Sequence, residues 1–311
     1  MAVALAGCGG GTHSRSEPKP KPKPATIVGP YDAQRIATAR IGLVTAERIN
    51  YTAFDGETVP ALLAIANGGR SQACLIWENG LGSTKEDSEA IWQGAARAGF
   101  STFSIDLRDH GQRGTLAHLL VVIRSPRQLA ALVSGTVNDL VRGVTLLESQ
   151  PECHHRVGYG GVSLGGIIGT LLAAQDARVG ATVLMSVPPT WSSLIHSTAN
   201  VDQLKTRFLP GLAGRPAALR GALRVLDPLN PDRWVCKIAP RPVLLLAGRH
   251  DAIVPPRAAH RFQAAACRPK EILNYDGGHL PLNEPGTSSA TAAANATVIT
   301  RFLVHHLLPS R

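Results

Sequence analysis

The sequence predicts an α/β protein: a mostly parallel central sheet flanked by helices, with a small cap inserted between the sixth and seventh predicted strands. Three observations carry this expectation. From Ala73 onward, short apolar runs alternate with longer helix-periodic segments, the pattern of right-handed βαβ crossovers. Glycine is plentiful at 31 residues while aromatic residues make up only 5%, which suits helices packed closely on a sheet better than two sheets face to face. The 311 residues, 44% of them hydrophobic, suffice for one large core, so a single domain is expected over residues 25–311.

Taken in chain order, residues 1–24 stand apart from that domain. Pro18 to Pro24 alternates proline with lysine, an extended spacer that cannot join a core. Ala46 to Ile65 reads as two antiparallel strands around the tight-turn pair Asp55-Gly56, and these are expected to form the sheet edge. Ala73 to Trp77 is a short apolar run that leads into Asn79-Gly80-Leu81-Gly82. Ser83 and Glu86 then have the spacing of a capping box for a helix reaching Ala98. The unit repeats with Ser101 to Ile105 as strand, Arg127 to Glu148 as helix, Val157 to Gly161 as strand, Leu164 to Ala174 as helix and Ala181 to Val187 as strand.

Between Pro188 and Pro240 the pattern breaks into prolines, small residues and two amphipathic pieces, Val201 to Phe208 and Ala217 to Val225. An insertion at that point lies over the carboxyl ends of the strands as a cap, where substrate selectivity is expected. Pro242 to Gly248 resumes as a buried strand, followed by a helix over Pro256 to Ala266, a strand over Glu271 to Tyr275 and a closing helix over Ala290 to Leu308.

The formal charge of +10 and pI near 9.8 do not point to nucleic acid. The basic residues outside the leader are scattered singly, with no basic run interleaved with aromatics. No cysteine or histidine group has metal-ligand spacing.

Gly161-Val162-Ser163-Leu164-Gly165-Gly166 lies directly after an apolar strand and directly before a helix. A nucleophile lifted onto a sharp strand-to-helix turn needs small residues on both sides, which Gly161 and Gly165 supply. A serine hydroxyl is a poor nucleophile at neutral pH, so a base must take its proton and a carboxylate must hold that base in the right tautomer. Asp251 and His279 follow in the order serine, acid, histidine, each at the end of a predicted strand. Asp276 is the rival carboxylate, but its loop already has to present the base. His154, His155, His305 and His306 lie in helix flanks or the last helix, and His250 adjoins the acid as a surface neighbour. The oxyanion of acyl transfer needs backbone donors, and Leu164 and Leu81 are the expected pair.

Together, Asn79 to Gly82, Asp106 to Gly111, Gly161 to Gly166, Gly248 to Asp251 and Gly278-His279 make the chain resemble the α/β-hydrolase superfamily over Tyr51 to Leu308. The resemblance is closest to its dienelactone-hydrolase-like, acetyl-xylan-esterase-like and prolyl-oligopeptidase-like branches. It implies a serine hydrolase that cleaves a small-molecule ester through an acyl-enzyme and needs no cofactor. Asn79 stands where many relatives carry histidine. The Asp106 to Gly111 stretch is read as structural, with Arg108 and His110 fixing the loop under the site. Peptidase activity, acyl transfer to another alcohol, and a non-catalytic lipid-anchored binding protein are the competing readings.

Leu5-Ala6-Gly7-Cys8 resembles a bacterial lipoprotein signal, in which the cysteine is acylated and becomes the mature N-terminus. Only six residues separate the initiator from Cys8, and they lack a cationic region. Export with a lipid anchor facing outside therefore goes with a start assigned too late. A cytoplasmic enzyme with an accidental leader is the alternative. The remaining cysteines, Cys74, Cys153, Cys236 and Cys267, are even in number. The fold reading places Cys74 with Cys153, and Cys236 with Cys267, near the starts of neighbouring strands, as two disulfides or as free buried thiols.

Overall fold

The computed structural model describes residues 26–69, 73–153, 157–197, 216–282 and 287–308. Ten strands form one sheet: β1 (Thr26–Gly29), β2 (Ala33–Ile41), β3 (Val44–Thr52), β4 (Thr58–Ala66), β5 (Ala73–Glu78), β6 (Phe100–Ile105), β7 (Val157–Val162), β8 (Val179–Met185), β9 (Val243–Gly248) and β10 (Lys270–Tyr275). Their spatial order is β1-β2-β3-β4-β6-β5-β7-β8-β9-β10. The first four strands and the β4–β6 pair are antiparallel, and every pairing beyond is parallel.

The described helices are α1 (Glu89–Arg97), α2 (Leu116–Val122), α3 (Pro126–Glu148), α4 (Leu164–Gln175), α5 (Trp191–Ser197), α6 (Pro216–Leu223), α7 (Pro256–Ala265) and α8 (Ser289–Leu307). The two-residue period of a strand sends alternate side chains of β5 to opposite faces. Cys74 and Ile76 join a core with α3, α4 and α7, through residues such as Leu140, Ile168 and Phe262. Ala73, Leu75 and Trp77 join a second core with α8, through Ile299, Phe302 and Leu303. The parallel strands are thus covered on both sides, which is why β5, β6, β7, β8 and β9 are buried at every position.

The expected edge is corrected. The β3–β4 hairpin lies inside a further antiparallel ribbon, β1 and β2. β2 reads AQRIATARI and is exposed at most positions; it has no apolar face to mark it, as befits a strand near a sheet edge. The helix start is corrected too. Thr84 and Asp87 form the capping box, with the Asp87 carboxylate accepting from the Thr84 N–H at 2.7 Å. A 3-10 turn over Lys85–Ser88 then precedes α1. α2 and α5 were not expected; both are only seven residues long, too short for a clear helical period. α6 overlaps the expected Ala217 to Val225 piece, starting one residue earlier and ending two sooner, whereas Val201 to Phe208, Cys8 and the Pro-Lys leader lie outside the described residues.

Disulfides join Cys74 to Cys153, just ahead of β7, and Cys236 to Cys267, which precede β9 and β10. Each links the starts of two neighbouring parallel strands. A buried ion pair anchors the loop after β6: the Lys85 ammonium lies 2.7 Å from Asp106, with side-chain exposures of 1% and 0%. Asp106 also accepts from the N–H groups of Lys85 and Gln112.

Candidate active site

Ser163 sits between the end of β7 and the first residue of α4, with φ 56° and ψ −116°. This is a strained conformation for a residue with a side chain, and it persists only where the surroundings enforce it. The enforcing contacts are short. A Cβ on Gly161 would lie 2.6 Å from the carbonyl oxygen of Gly165, and one on Gly165 would collide with the carbonyl of Glu78. The Tyr159 hydroxyl donates to the Gly165 carbonyl at 2.6 Å, and the Ser163 N–H donates to Met185 at 2.9 Å. The serine is thereby presented at the positive end of α4.

Asp251 and His279 follow the ends of β9 and β10, which are parallel neighbours. His279 Nδ1 lies 2.8 Å from Asp251 Oδ2, with both side chains buried. The other oxygen, Asp251 Oδ1, accepts from the N–H groups of Ile253 and Val254, each at 2.8 Å. The carboxylate is therefore fixed in its plane, and one oxygen is committed to the imidazole. Nδ1 is thereby occupied, which leaves Nε2 as the nitrogen able to exchange a proton with a hydroxyl.

The rival carboxylate faces elsewhere. Asp276 is exposed and pairs with His250 Nε2 at 2.8 Å. His305 and His306 meet edge to face in α8, while His154 and His155 lie outside the described residues.

Three residues that sequence reasoning passed over hold the histidine loop. The Ser186 hydroxyl donates to the carbonyl oxygen of His279, the Tyr275 hydroxyl donates to that of Gly278, and the Thr287 hydroxyl accepts from the Gly278 N–H. Ser186 has a positive φ of 52° directly after β8. A serine in that position was the available signal, but a lone hydroxyl in an apolar strand end carries little weight from sequence.

The loop after β5 approaches the serine from the other side. A Cβ on Gly80 would lie 3.4 Å from Ser163 Cβ. Asn79 fixes this loop three ways: its side-chain oxygen accepts from the Trp77 indole at 3.2 Å, its amide donates to Ser88 at 2.7 Å, and its carbonyl accepts from the Gly165 N–H at 3.1 Å. Leu164 is the first residue of α4, where an N–H has no acceptor within the helix. Among the described residues no hydrogen bond engages the Leu81 N–H either. These two donors are the pair expected for an oxyanion.

Arg108 and His110 belong to the scaffold. Arg108 makes a two-pronged bond to Asp139 of α3 at 2.9 and 3.0 Å and reaches Asp55 in the β3–β4 turn. His110 Nδ1 meets the Arg108 carbonyl at 2.8 Å, and burial lowers the histidine's pKa. Glu78, fully buried beneath the Asn79 loop, has its carboxyl pushed well above the ordinary value, first by burial and then against the Ile105 N–H bond by nearby Asp106.

A cavity of about 380 Å³ is bordered by Ser163, His279, Gly80, Leu81 and Leu164. Its other walls come from α3 and the segment leading into it, from α4 (Ile167), from the cap (Trp191, Leu223, Leu226), and, beside the catalytic candidates, from Ser83, Ile253 and Leu280. Among the described residues no group of acidic, cysteine or histidine side chains could hold a metal ion.

No family model matches the sequence, and no curated protein matches it. Solved structures do. The chain is similar to an acetyl xylan esterase from Paenibacillus sp. R4, with a TM-score of 0.71 and 17% identity, covering 89% of each chain. It is also similar to an esterase of Pyrococcus furiosus, with a TM-score of 0.61 and 16% identity over 84% of this chain and 92% of that one. A dipeptidyl aminopeptidase IV-type protein from Bacteroides ovatus matches with a TM-score of 0.62 and 18% identity, but only 36% of its length is covered, against 85% here. At such identities the likeness is one of fold.

Proposed function

We propose that this chain, which has the α/β-hydrolase fold, is a serine carboxylesterase with Ser163 as nucleophile, His279 as general base and Asp251 as the acid that orients it. The observation that carries the reading is the 2.8 Å bond from His279 Nδ1 to the Asp251 carboxylate, with His279 lining the same cavity as a strained, forward-held Ser163. Ser163 Oγ attacks the ester carbonyl while His279 Nε2 takes its proton, and the N–H groups of Leu164 and Leu81 receive the oxyanion. Collapse expels the alcohol, which takes the proton from His279. Water then attacks the acyl-enzyme, giving its proton to His279, and the acid leaves as Ser163 is restored. That two of the similar structures are esterases by name supports this reading over the peptidase.

The expected result is that wild type hydrolyses p-nitrophenyl esters and labels once with a fluorophosphonate, and that Ser163→Ala does neither. Full activity in the mutant would sink the assignment. Hydrolysis absent from both proteins would favour the non-catalytic binding reading.

The proposal extends to location: an exported protein tethered through an acylated Cys8. Two disulfides support it, since such bonds persist in oxidising compartments. Mass spectrometry of the mature N-terminus tests it, and an unmodified Met1 would defeat it.

A further inference from the structure

We propose that the substrate is the ester of a medium-length aliphatic acid, about six to ten carbons long, whose chain lies between α3, α4 and the cap. The inference rests on the esterase reading and specifies its substrate class. It starts from the character of the cavity's deep walls. Ile123, Leu129, Ile167, Trp191, Leu223 and Leu226 line it while remaining between 1% and 6% exposed, so these surfaces belong to the interior of the fold.

The lining side chains offer polar groups at Ser83, Ser163 and His279, all toward the reacting end. The one polar atom on the deep wall, the Trp191 indole N–H, is already bonded to the Leu229 carbonyl at 3.2 Å. A charged or hydroxylated acyl group would lie there unpartnered, at a large desolvation cost. Water filling the deep end would likewise find few partners.

Size points the same way. On the scale at which an apolar cavity of about 150 Å³ takes one benzene, 380 Å³ takes roughly fifteen carbon-sized groups. The ester itself takes a few of them. An acetyl group would leave most of the apolar wall uncovered.

The chain is assigned to the acyl side because of where the proton must go. His279 has to deliver a proton to the leaving oxygen, so the alcohol lies on the His279 side, where Ile253 of the cavity lining is 39% exposed. The remaining substituent of the tetrahedral carbon then points away from His279, toward Leu129, Ile167 and Leu226. That is also the part that stays bound while water attacks.

The test uses the full chain. Across p-nitrophenyl acetate to laurate, kcat/KM is expected to rise by up to about fourfold per methylene. It should peak between hexanoate and decanoate at least a hundredfold above acetate, and fall at laurate. A second series, acetate esters of ethanol to octanol, is expected to stay flat within about threefold. Leu129→Trp and Leu223→Trp, each filling the deep end from a different element, should move the optimum to butyrate or shorter, cutting octanoate hydrolysis at least tenfold more than acetate hydrolysis.

An optimum at acetate or propionate in a Ser163-dependent reaction overturns this inference and leaves the esterase reading standing. So does a rise along the alcohol series alone, or an unmoved optimum in either variant that still labels. Absence of both labelling and hydrolysis in wild type defeats the esterase reading, and this inference with it.

Discussion

The hydroxyl of Ser186 donates to the main-chain oxygen of His279 across 93 positions of sequence. The bond ties the loop that carries His279, the proposed base, to the end of β8, the strand beside β7 and Ser163. Ser186→Ala leaves a buried carbonyl without its donor, a loss of about 1–3 kcal/mol. Part of that cost should fall on the position of the imidazole. Steady-state kinetics are expected to show kcat reduced about tenfold with KM nearly unchanged; an unaltered kcat would show that Tyr275 and Thr287 suffice.

Asp251→Asn should separate orientation from charge. The N–H groups of Ile253 and Val254 require an acceptor at Oδ1, so the new amide must turn its NH2 toward His279. The imidazole then presents a lone pair at Nδ1 and carries its proton on Nε2, the wrong tautomer for a base. By comparison with other triads, kcat is expected to fall about 10³–10⁴-fold with circular dichroism unchanged. A loss below tenfold would show that Asp251 is not the partner of the reacting histidine.

The Lys85–Asp106 pair is buried on both sides, so removing one member strands the other. Lys85→Met is expected to lower stability in urea by about 3–5 kcal/mol. A change under about 1 kcal/mol would mean that the N–H groups of Lys85 and Gln112 already satisfy the carboxylate.

Glu78 predicts a pH dependence of stability. Its carboxyl is raised above the ordinary value of 4.5, so the fold favours the neutral acid. A group of this kind contributes its stabilisation fully below 4.5 and loses it as pH climbs toward the raised value. Glu78→Gln keeps an acceptor for the Ile105 N–H and cannot ionise. Urea unfolding at pH 5 and pH 8 should therefore show the variant gaining on wild type at the higher pH. A constant difference would indicate that Glu78 is not protonated in the fold.

The parts of this structure that could be read from sequence are those in which local pattern and tertiary role agree. β5, β7, β8 and β9 are short apolar runs because both faces of a parallel sheet are covered. Ser163, Asp251 and His279 stand out because each follows such a run at a glycine-marked turn. β2 could not be read, since Thr38 and Arg40 are exposed and Arg35 pairs with Glu47 of β3, a partner known only once β3 is placed. The capping box was displaced by one residue because Ser83-Thr84 offers two hydroxyls, with Glu86 and Asp87 as two acids at matching distance. The chain turns into the helix at the second of each. Ser186 and Asn79 act through contacts with distant backbone, to His279 and Gly165, and no local period announces such a role.

The backbone angle at Ser163 carries a meaning beyond chemistry. A side chain held at that φ costs on the order of 1–3 kcal/mol, drawn from a total stability that for a domain is only about 5–15 kcal/mol. Glycine would adopt the same angle without penalty. Were thermal robustness the sole criterion acting on this gene product, drift at this codon would be expected to erase the serine. On the esterase reading, the turn is a place where durability is given up for reactivity, and screens for hardier variants are expected to return inactive ones altered here.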